Sequence, residues 1–502
     1  MSFIKILTYI LIIYIIYYRN LAIKYTSMNR LENQNIIESD VAIIWWWVTW
    51  SSLAYTLTAF TDVKKIVQIE KESSLWAVNS KATHNSQTLH EGNIESNYNR
   101  PKAQKVSTKA NMLKKYFTKV LPKGSDVYAK HHKMLIAVGN QEVVTLKDRY
   151  ETIKDIFPED RILTWEEIAQ YEPLVMKWRK THENIAAHFS PDWYTVDFGK
   201  LSSSFIEQAQ KTKQDVLDVL TNACVDTIEQ KDDKYYYVTL KDWRIIKSKA
   251  LVVAAGGHTP LLLKEFHKGH PSVQFQYGDG TTELSVDDFS ILSVAWSFFN
   301  THEKMLNGKV YTMQDSDLPF AAVHWDPEVH NSNITRLGPT AIWIPKLERY
   351  KKWWMSEYFK VFEVSNKAIA ALWSVLSKND WKTFKYLWKN MMYELPFFGK
   401  RLFAKEARKI IPTLKSSDID KARGYGGTRP QILNTTRTDK KWLDFGEAKF
   451  TTLDNSALFT ITPSPGATTC LWNAYNDVQA ILKSFNGEYT FNKEAFEEMF
   501  VN

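Results

Sequence analysis

Residues 41–44, Val-Ala-Ile-Ile, form a short unbroken apolar run, the pattern of a strand covered on both faces of a parallel sheet. Residues 51–60 can form a helix, and Lys65 to Ile69 reads as a second strand ending at Glu70. A βαβ unit of about 30 residues is the smallest frame on which a parallel sheet is built, and its first bend is where a dinucleotide binds. That bend calls for G-x-G-x-x-G. The first glycine allows the tight turn, the second lets a diphosphate approach bare N–H groups, and the third lets helix and strand pack closely. Trp45, Trp47 and Trp50 stand at these three places, with Trp46 between them. Glu70, 20 residues beyond Trp50, stands where the acid that binds ribose hydroxyls is expected.

An indole at each site would fill the diphosphate cradle and disfavour the positive φ that glycine supplies. The chain has 19 Trp and only 18 Gly, and the sum, 37 in 502, is close to the usual glycine share of about 7%. This points to translation under the wrong genetic code. Some bacteria read UGA as glycine, whereas another common code reads it as tryptophan. Trp76, Trp193, Trp296, Trp325 and Trp472 also lie in turn-like contexts where glycine would be natural. The competing explanations are a Trp-rich surface and a decayed gene; UGG codons at 45–47 would exclude recoding.

A chain of 502 residues can hold two or three domains. The net charge of +8 is not gathered into basic runs, so it suits anionic small molecules or a membrane surface and speaks against nucleic acid. Cys224 and Cys470 cannot make a disulfide framework and fit a reducing compartment, and no Cys/His spacing suits a metal. Ile6 to Tyr18 is apolar but shorter than the roughly 20 residues of a spanning helix. It reads either as a short anchor or as a spurious extension before a true start at Met28.

Residues 251–257, Leu-Val-Val-Ala-Ala-Gly-Gly, read as a strand returning to the nucleotide-binding sheet. Short β-like runs at 291–299, 309–313, 318–324 and 340–344 predict an antiparallel second domain, and 351–410 reads as helical. The expected organisation is therefore α/β (α+β overall). An apolar or spurious segment occupies 1–37, and the nucleotide-binding domain is discontinuous over 38–100, 190–290 and 420–485. A helical insertion is expected at 101–189, the substrate domain at 291–419, and a tail at 486–502.

Three polar, glycine-bearing stretches lie outside these strands: 84–92 (His-Asn-Ser-Gln-Thr-Leu-His-Glu-Gly), 424–431 (Gly-Tyr-Gly-Gly-Thr-Arg-Pro-Gln) and 462–470 (Thr-Pro-Ser-Pro-Gly-Ala-Thr-Thr-Cys). With 306–310, 318–327 and 336–350, they resemble the flavin-contacting segments of the glycine-oxidase-like FAD superfamily. Within it they are most similar to the malate:quinone oxidoreductases of epsilon-class proteobacteria, over residues 38 to 480. The resemblance implies a Rossmann-like FAD-binding domain with a discontinuous antiparallel-sheet substrate domain. It further implies oxidation of malate, or a similar 2-hydroxy dicarboxylate, with electrons passed to a membrane quinone. The place it implies is peripheral, on the cytoplasmic face of the inner membrane.

Such chemistry needs a base near the hydroxyl, cations for the carboxylates and dipoles that steady the reduced flavin. His324 is the expected base, and Arg429 is expected to clamp a carboxylate with Arg336 as the second cation. The resemblance places glycine where Trp325 follows His324. Cofactor contacts are expected from Trp45, Trp46, Trp47, Trp50, Glu70, His84, Asn85, Ser86, His90, Gly256, Gly427, Pro465, Gly466, Ala467 and Thr468. The alternative activities are an L-2-hydroxyglutarate dehydrogenase or oxidase and, if the tryptophans are real, a non-catalytic relic.

Overall fold

An apolar run without a polar member is stable only where a strand is covered on both sides. Val41 to Ile44 are fully buried at the end of β1 (Ile36–Ile44). The computed structural model describes residues 36–45, 47–74, 78–278, 284–314, 323–350, 355–362, 368–370, 373, 381–435, 443–444, 447–461 and 466–502. After β1 come β2 (Ile66–Ile69), β3 (Tyr128–Val138), β4 (Arg161–Leu163), β5 (Ile185–Val196), β6 (Leu217–Leu220), β7 (Val225–Gln230), β8 (Tyr236–Leu240), β9 (Ile245–Val253) and β10 (Phe275–Tyr277). The later strands are β11 (Phe289–Thr301), β12 (Lys309–Thr312), β13 (His324–Pro327), β14 (Thr335–Trp343), β15 (Ile419–Lys421), β16 (Thr428–Asn434), β17 (Leu443–Asp444), β18 (Ala448–Thr452) and β19 (Ala457–Ile461).

The first sheet has the order β10-β18-β19-β9-β1-β2-β6, with the β7–β8 hairpin attached at β9. β1 runs parallel to both β2 and β9, so two strand ends open side by side. The crossover from β1 to β2 is helix α1 (Val48–Phe60), buried on almost every side. Its small residues allow that. Ser52 Oγ donates to the carbonyl of Cys470 at 3.0 Å, and Thr56 Oγ1 donates to that of Ser52 at 2.7 Å, so their hydroxyls are satisfied inside the core.

The second sheet, β17-β16-β11-β14-β13-β12-β3-β5-β4, is antiparallel except where β12 runs parallel to β3. Three expected boundaries differ. The segment 101–189 contains helices Arg100–Lys119 and Asn140–Ile153, but it also supplies β3, β4 and the start of β5 to this sheet. The charged start of β3, Lys130 to Lys133, hides the buried run Met134 to Ala137 from a reading of composition. β16, expected in the nucleotide-binding domain, pairs with β11 in the second sheet. The expected tail forms a helix (Lys493–Phe500) whose Phe496 and Phe500 pack against Phe60 in the core.

Side chains alternate along a strand, so register assigns each residue a face. Directly paired residues share a face, which puts Lys133, Lys309, Tyr311, His324, Asp326 and Arg336 together on one side of the second sheet. Met134, Val310, Trp325, Leu337 and Phe299 take the other side and join an apolar core with Phe403. Arg429, opposite Val294, falls on the first of these faces through the even-numbered residues of β11.

Among the described residues three tryptophans adopt the left-handed backbone region that favours glycine: Trp45 (φ 81), Trp178 (φ 68) and Trp243 (φ 73). Trp243 closes the β8–β9 hairpin, donating its N–H to the Leu240 carbonyl at 2.9 Å, in the bulge position of a type I turn that glycine normally takes. Left-handed backbone costs an L-residue about 1–2 kcal/mol, partly offset by the greater unfolded-state entropy of glycine. Trp243→Gly is therefore expected to stabilise the fold by about 1 kcal/mol, read as a higher urea midpoint at unchanged slope. A lower midpoint would contradict a glycine-type turn there.

Candidate active site

The bend between β1 and α1 faces Gly256, at the end of the neighbouring β9 (φ 55). The two approach so closely that a Cβ on Gly256 would lie 2.6 Å from Cζ2 of Trp47. The Trp45 ring is stacked on His258 at 5.2 Å, with the Lys71 ammonium 3.8 Å from its centre on a cation–π contact. Neither the Trp45 nor the Trp47 indole N–H has a hydrogen-bond partner among the described residues, though both N–H groups are buried. Buried indoles normally find one. The backbone beneath has the parallel strand, the bend and the helix N-terminus that a diphosphate requires. The indoles as written do not fit a dinucleotide, because they occupy the space it would cross. Trp50 is buried in the α1 core, and Trp46 lies outside the described residues.

Glu70 ends β2 as expected, 2% exposed, accepting the N–H of Glu72 at 2.8 Å. Burial pushes its carboxyl up to about 8. Ribose hydroxyls donating to it would favour the charged form.

Residues 79–95 make a loop that touches each of the other expected segments. Ser80 Oγ accepts the Val48 N–H at 3.2 Å, and Asn79 Nδ2 donates to the Thr428 carbonyl at 3.0 Å. The His90 N–H donates to Thr468 Oγ1 at 3.0 Å, and Lys309 Nζ donates to Thr88 Oγ1. Gly427 is wedged against this loop, where a Cβ would come 2.5 Å from Asn79 Oδ1 and 2.9 Å from the His84 carbonyl. The expected contacts His84, Asn85, His90, Gly427 and Thr468 thus converge. Asn85 spends its amide on the carbonyls of Asn79, Ser80 and Lys81, so it holds the loop's own shape. Ser86 gives only its carbonyl, to Thr88 Oγ1 at 3.1 Å. Gly466 accepts from Thr49 Oγ1 at 3.5 Å, which ties the turn 466–469 to α1, and Ala467 packs on the same core. Pro465 lies outside the described residues.

Arg336 does not stand as a substrate cation. It is buried, with its guanidinium donating to the carbonyls of Ala82 (3.1 Å) and Asn85 (2.9 Å) and to Glu328 (2.8 Å), so it pins the loop to β14. Arg429 differs. Burial holds its guanidinium down to about 10, it lies 4.5 Å from the Trp296 ring centre, and no carboxylate of the described residues pairs with it. The Tyr98 and Tyr386 hydroxyls are its electrostatic neighbours.

His324 is 2% exposed, with Nε2 3.3 Å from Asp326 Oδ2 and its ring 4.6 Å from that of Tyr311. Asp326 Oδ1 lies 2.5 Å from Lys309 Nζ. Burial works to raise the Asp326 carboxyl, but His324 and Lys309 outweigh it and hold it below the usual range. Burial lowers the Lys309 ammonium to about 8. Lys309, Lys133 and Asp326 were not expected at the site. The signal was present as alternation, Lys309-Val310-Tyr311 and His324-Trp325-Asp326, each with one apolar residue between two polar ones.

The Glu70 carboxyl yields a pH dependence. Its folded-state pKa is raised, so its stabilising contribution is complete below about pH 4.5 and is lost as pH rises through about 8. In flavin-free protein, Glu70→Gln is expected to flatten the fall in unfolding free energy between pH 5 and 8 by about 3 kcal/mol. Parallel curves for the two proteins would show that this carboxyl is not buried in its neutral form.

A family model described as malate:quinone oxidoreductase matches residues 37–500. A probable malate:quinone oxidoreductase of Campylobacter jejuni is 37% identical over 469 residues, covering 91% of this chain and 98% of its own. A malate:quinone oxidoreductase of Helicobacter pylori is 38% identical over 468 residues, covering 92% and 97%. Among solved structures, the FAD-bound L-alpha-glycerophosphate oxidase of Mycoplasma pneumoniae superposes with a TM-score of 0.58 at 17% identity, over 91% of this chain and 97% of its own. Glycine oxidase of Geobacillus kaustophilus does so with a TM-score of 0.57 at 14% identity, over 92% and 98%.

Proposed function

The chain belongs to the malate:quinone oxidoreductase family, and on that premise we propose how its own residues serve the reaction. It is an FAD-dependent oxidoreductase that converts malate to oxaloacetate with a quinone as electron acceptor. Bound flavin supplies the two-electron acceptor for the hydrogen on the hydroxyl-bearing carbon. Arg429 carries the assignment of the substrate site, as a half-buried guanidinium with no described carboxylate of its own on the same sheet face as His324. A guanidinium offers two parallel N–H donors to one carboxylate of malate and so fixes the hydroxyl's direction.

His324 takes the hydroxyl proton. The Asp326 carboxylate, 3.3 Å from Nε2, stabilises the imidazolium that forms. Asp326 and Lys309 are positioning residues, since Lys309 keeps the carboxylate ionised. Burial raises the Tyr98 and Tyr311 phenols, so both remain protonated donors beside the site. Arg429→Met is expected to lower kcat/KM for malate about 10³-fold with a soluble dye as acceptor, and Lys to restore only part of it. His324→Gln is expected to lower kcat about 10²-fold or more. A His324→Gln rate within threefold of the parent would place the base elsewhere.

The bend at 45–50 must accept the FAD diphosphate, and we propose that glycine stands there in the natural protein. The left-handed Trp45, the two buried and unpartnered indole N–H groups and the close approach of Gly256 support this. Peptides spanning 41–60 from the native organism should carry the mass of glycine at positions 45–47 and 50. The chain with all four changed to glycine should retain FAD through gel filtration, while the all-tryptophan chain loses it. Tryptophan in the native peptides would remove the proposal.

No helix of the described residues is long and apolar enough to cross a membrane, and the family reading makes the association peripheral. We place it on the cytoplasmic face, where malate and the reducing compartment are.

A further inference from the structure

Exposed large apolar side chains among the described residues concentrate on one helical hairpin. It consists of α2 (Trp381–Tyr393), a turn, and α3 (Gly399–Ala407). Met391, Met392, Leu395, Phe397, Phe398 and Leu402 project from its tip, with Phe397 90% and Phe398 64% exposed. None of the six is a tryptophan. A contiguous patch of this kind is uncommon on a protein that contacts only water.

Phe397 is the sharpest case. Its φ of 64 lies in the left-handed region, an outlier for a bulky residue, and no core packing accounts for a phenyl ring there. Charge completes the pattern. From 381 to 408 the chain has seven Lys or Arg against two Glu, and both Glu are engaged by lysines: Glu394 by Lys421, and Glu406 by Lys389 at 2.7 Å. Lys385, Arg401 and Lys405 are exposed around the apolar tip. The opposite side of α2 is fixed to the second sheet, with Leu387 buried and Asn390 Oδ1 accepting the Ala341 N–H at 3.0 Å. The tip is therefore presented outward by a firmly anchored helix.

We propose that this hairpin is a monotopic membrane-docking surface, its Phe, Met and Leu side chains entering the interface of an anionic bilayer while its Lys and Arg meet the headgroups. Apolar residues ringed by Lys and Arg are the pattern of interfacial anchors, and each basic residue gains from an anionic surface. The inference rests on the quinone-linked reading only for why a bilayer is where the electrons go; binding itself is a separate measurement.

The full-length holoenzyme is floated with vesicles of phosphatidylcholine alone and of phosphatidylcholine with phosphatidylglycerol, and its malate turnover is followed with a soluble dye. The parent should float with the anionic vesicles. Phe397→Gly with Phe398→Ser should weaken partitioning at least about tenfold, with dye-linked turnover unchanged and a Tm no lower, since glycine relieves the φ at 397. Lys385→Glu with Arg401→Glu should abolish the preference for anionic vesicles. Flotation of the Phe variant like the parent would overturn the assignment. So would failure of the parent to float on either vesicle, which would turn the surface to a protein partner. Flotation without any malate turnover would instead remove the activity reading and leave the surface standing.

Discussion

The bend that closes β1 is where two parallel strand ends and a helix start meet, and the rest of the site is arranged around it. Parallel pairing of β1 with β9 brings two strand ends to one place, so the Trp47 indole meets Gly256 at a separation that a single Cβ would violate. α1 begins immediately after the bend and lies buried, with hydroxyls and small side chains where larger ones would push it off the sheet. A diphosphate would rest on bare N–H groups at this helix start. The indoles at 45 and 47 occupy the space such a diphosphate would cross, which is the observation on which the proposal of glycine at these positions rests.

The two sheets are joined at the site chiefly by the loop 79–95. One end binds the start of α1 through Ser80, the middle binds β14 through Arg336, and the far end binds the turn 466–469 through His90 and Thr468. These bonds also explain why Arg336 is unsuited to substrate. A guanidinium that already donates to two carbonyls and a carboxylate has little capacity left, and removing its partners would leave a buried charge uncompensated.

The nucleotide-binding unit was legible because its signals are local: an apolar run, a helix of plausible length and an acid at a fixed offset, each following from backbone geometry. Arg429 drew attention in the sequence because glycine and proline beside it mark an unusual backbone, and the structure leaves it without a described carboxylate. Lys309 and Lys133 were not, because a lysine inside a strand looks like a solvated edge until the pairing partners are known. The burial of both depends on carboxylates distant in sequence, Asp326 for one and Glu91 for the other. The helical reading of 101–189 failed for the same reason, since charge at the start of β3 faces a site that is built by other strands. The C-terminal helix was missed because the aromatic pairs of Phe496 and Phe500 with Phe60 span more than 400 residues.

Charge pairing across the polar face of the second sheet then singles out one residue. Lys133 has Glu91, Lys309 has Asp326, and Arg336 has Glu328, so each of these buried cations carries its own anion. Desolvating an unpaired cation is costly, and a fold that keeps one does so for something that arrives later. Among the described residues Arg429 has no carboxylate, and burial has already lowered its pKa. Tyr386, one of its electrostatic neighbours, belongs to the same helix whose last turn leads to Phe397 and Phe398. A single helix thus carries Tyr386, beside Arg429, near its middle and leads from its C-terminal end to the exposed apolar tip. On the proposed assignments of Arg429 to the substrate and of the tip to lipid, one helix links the two, so a docked enzyme would hold its substrate face in a set orientation to the bilayer.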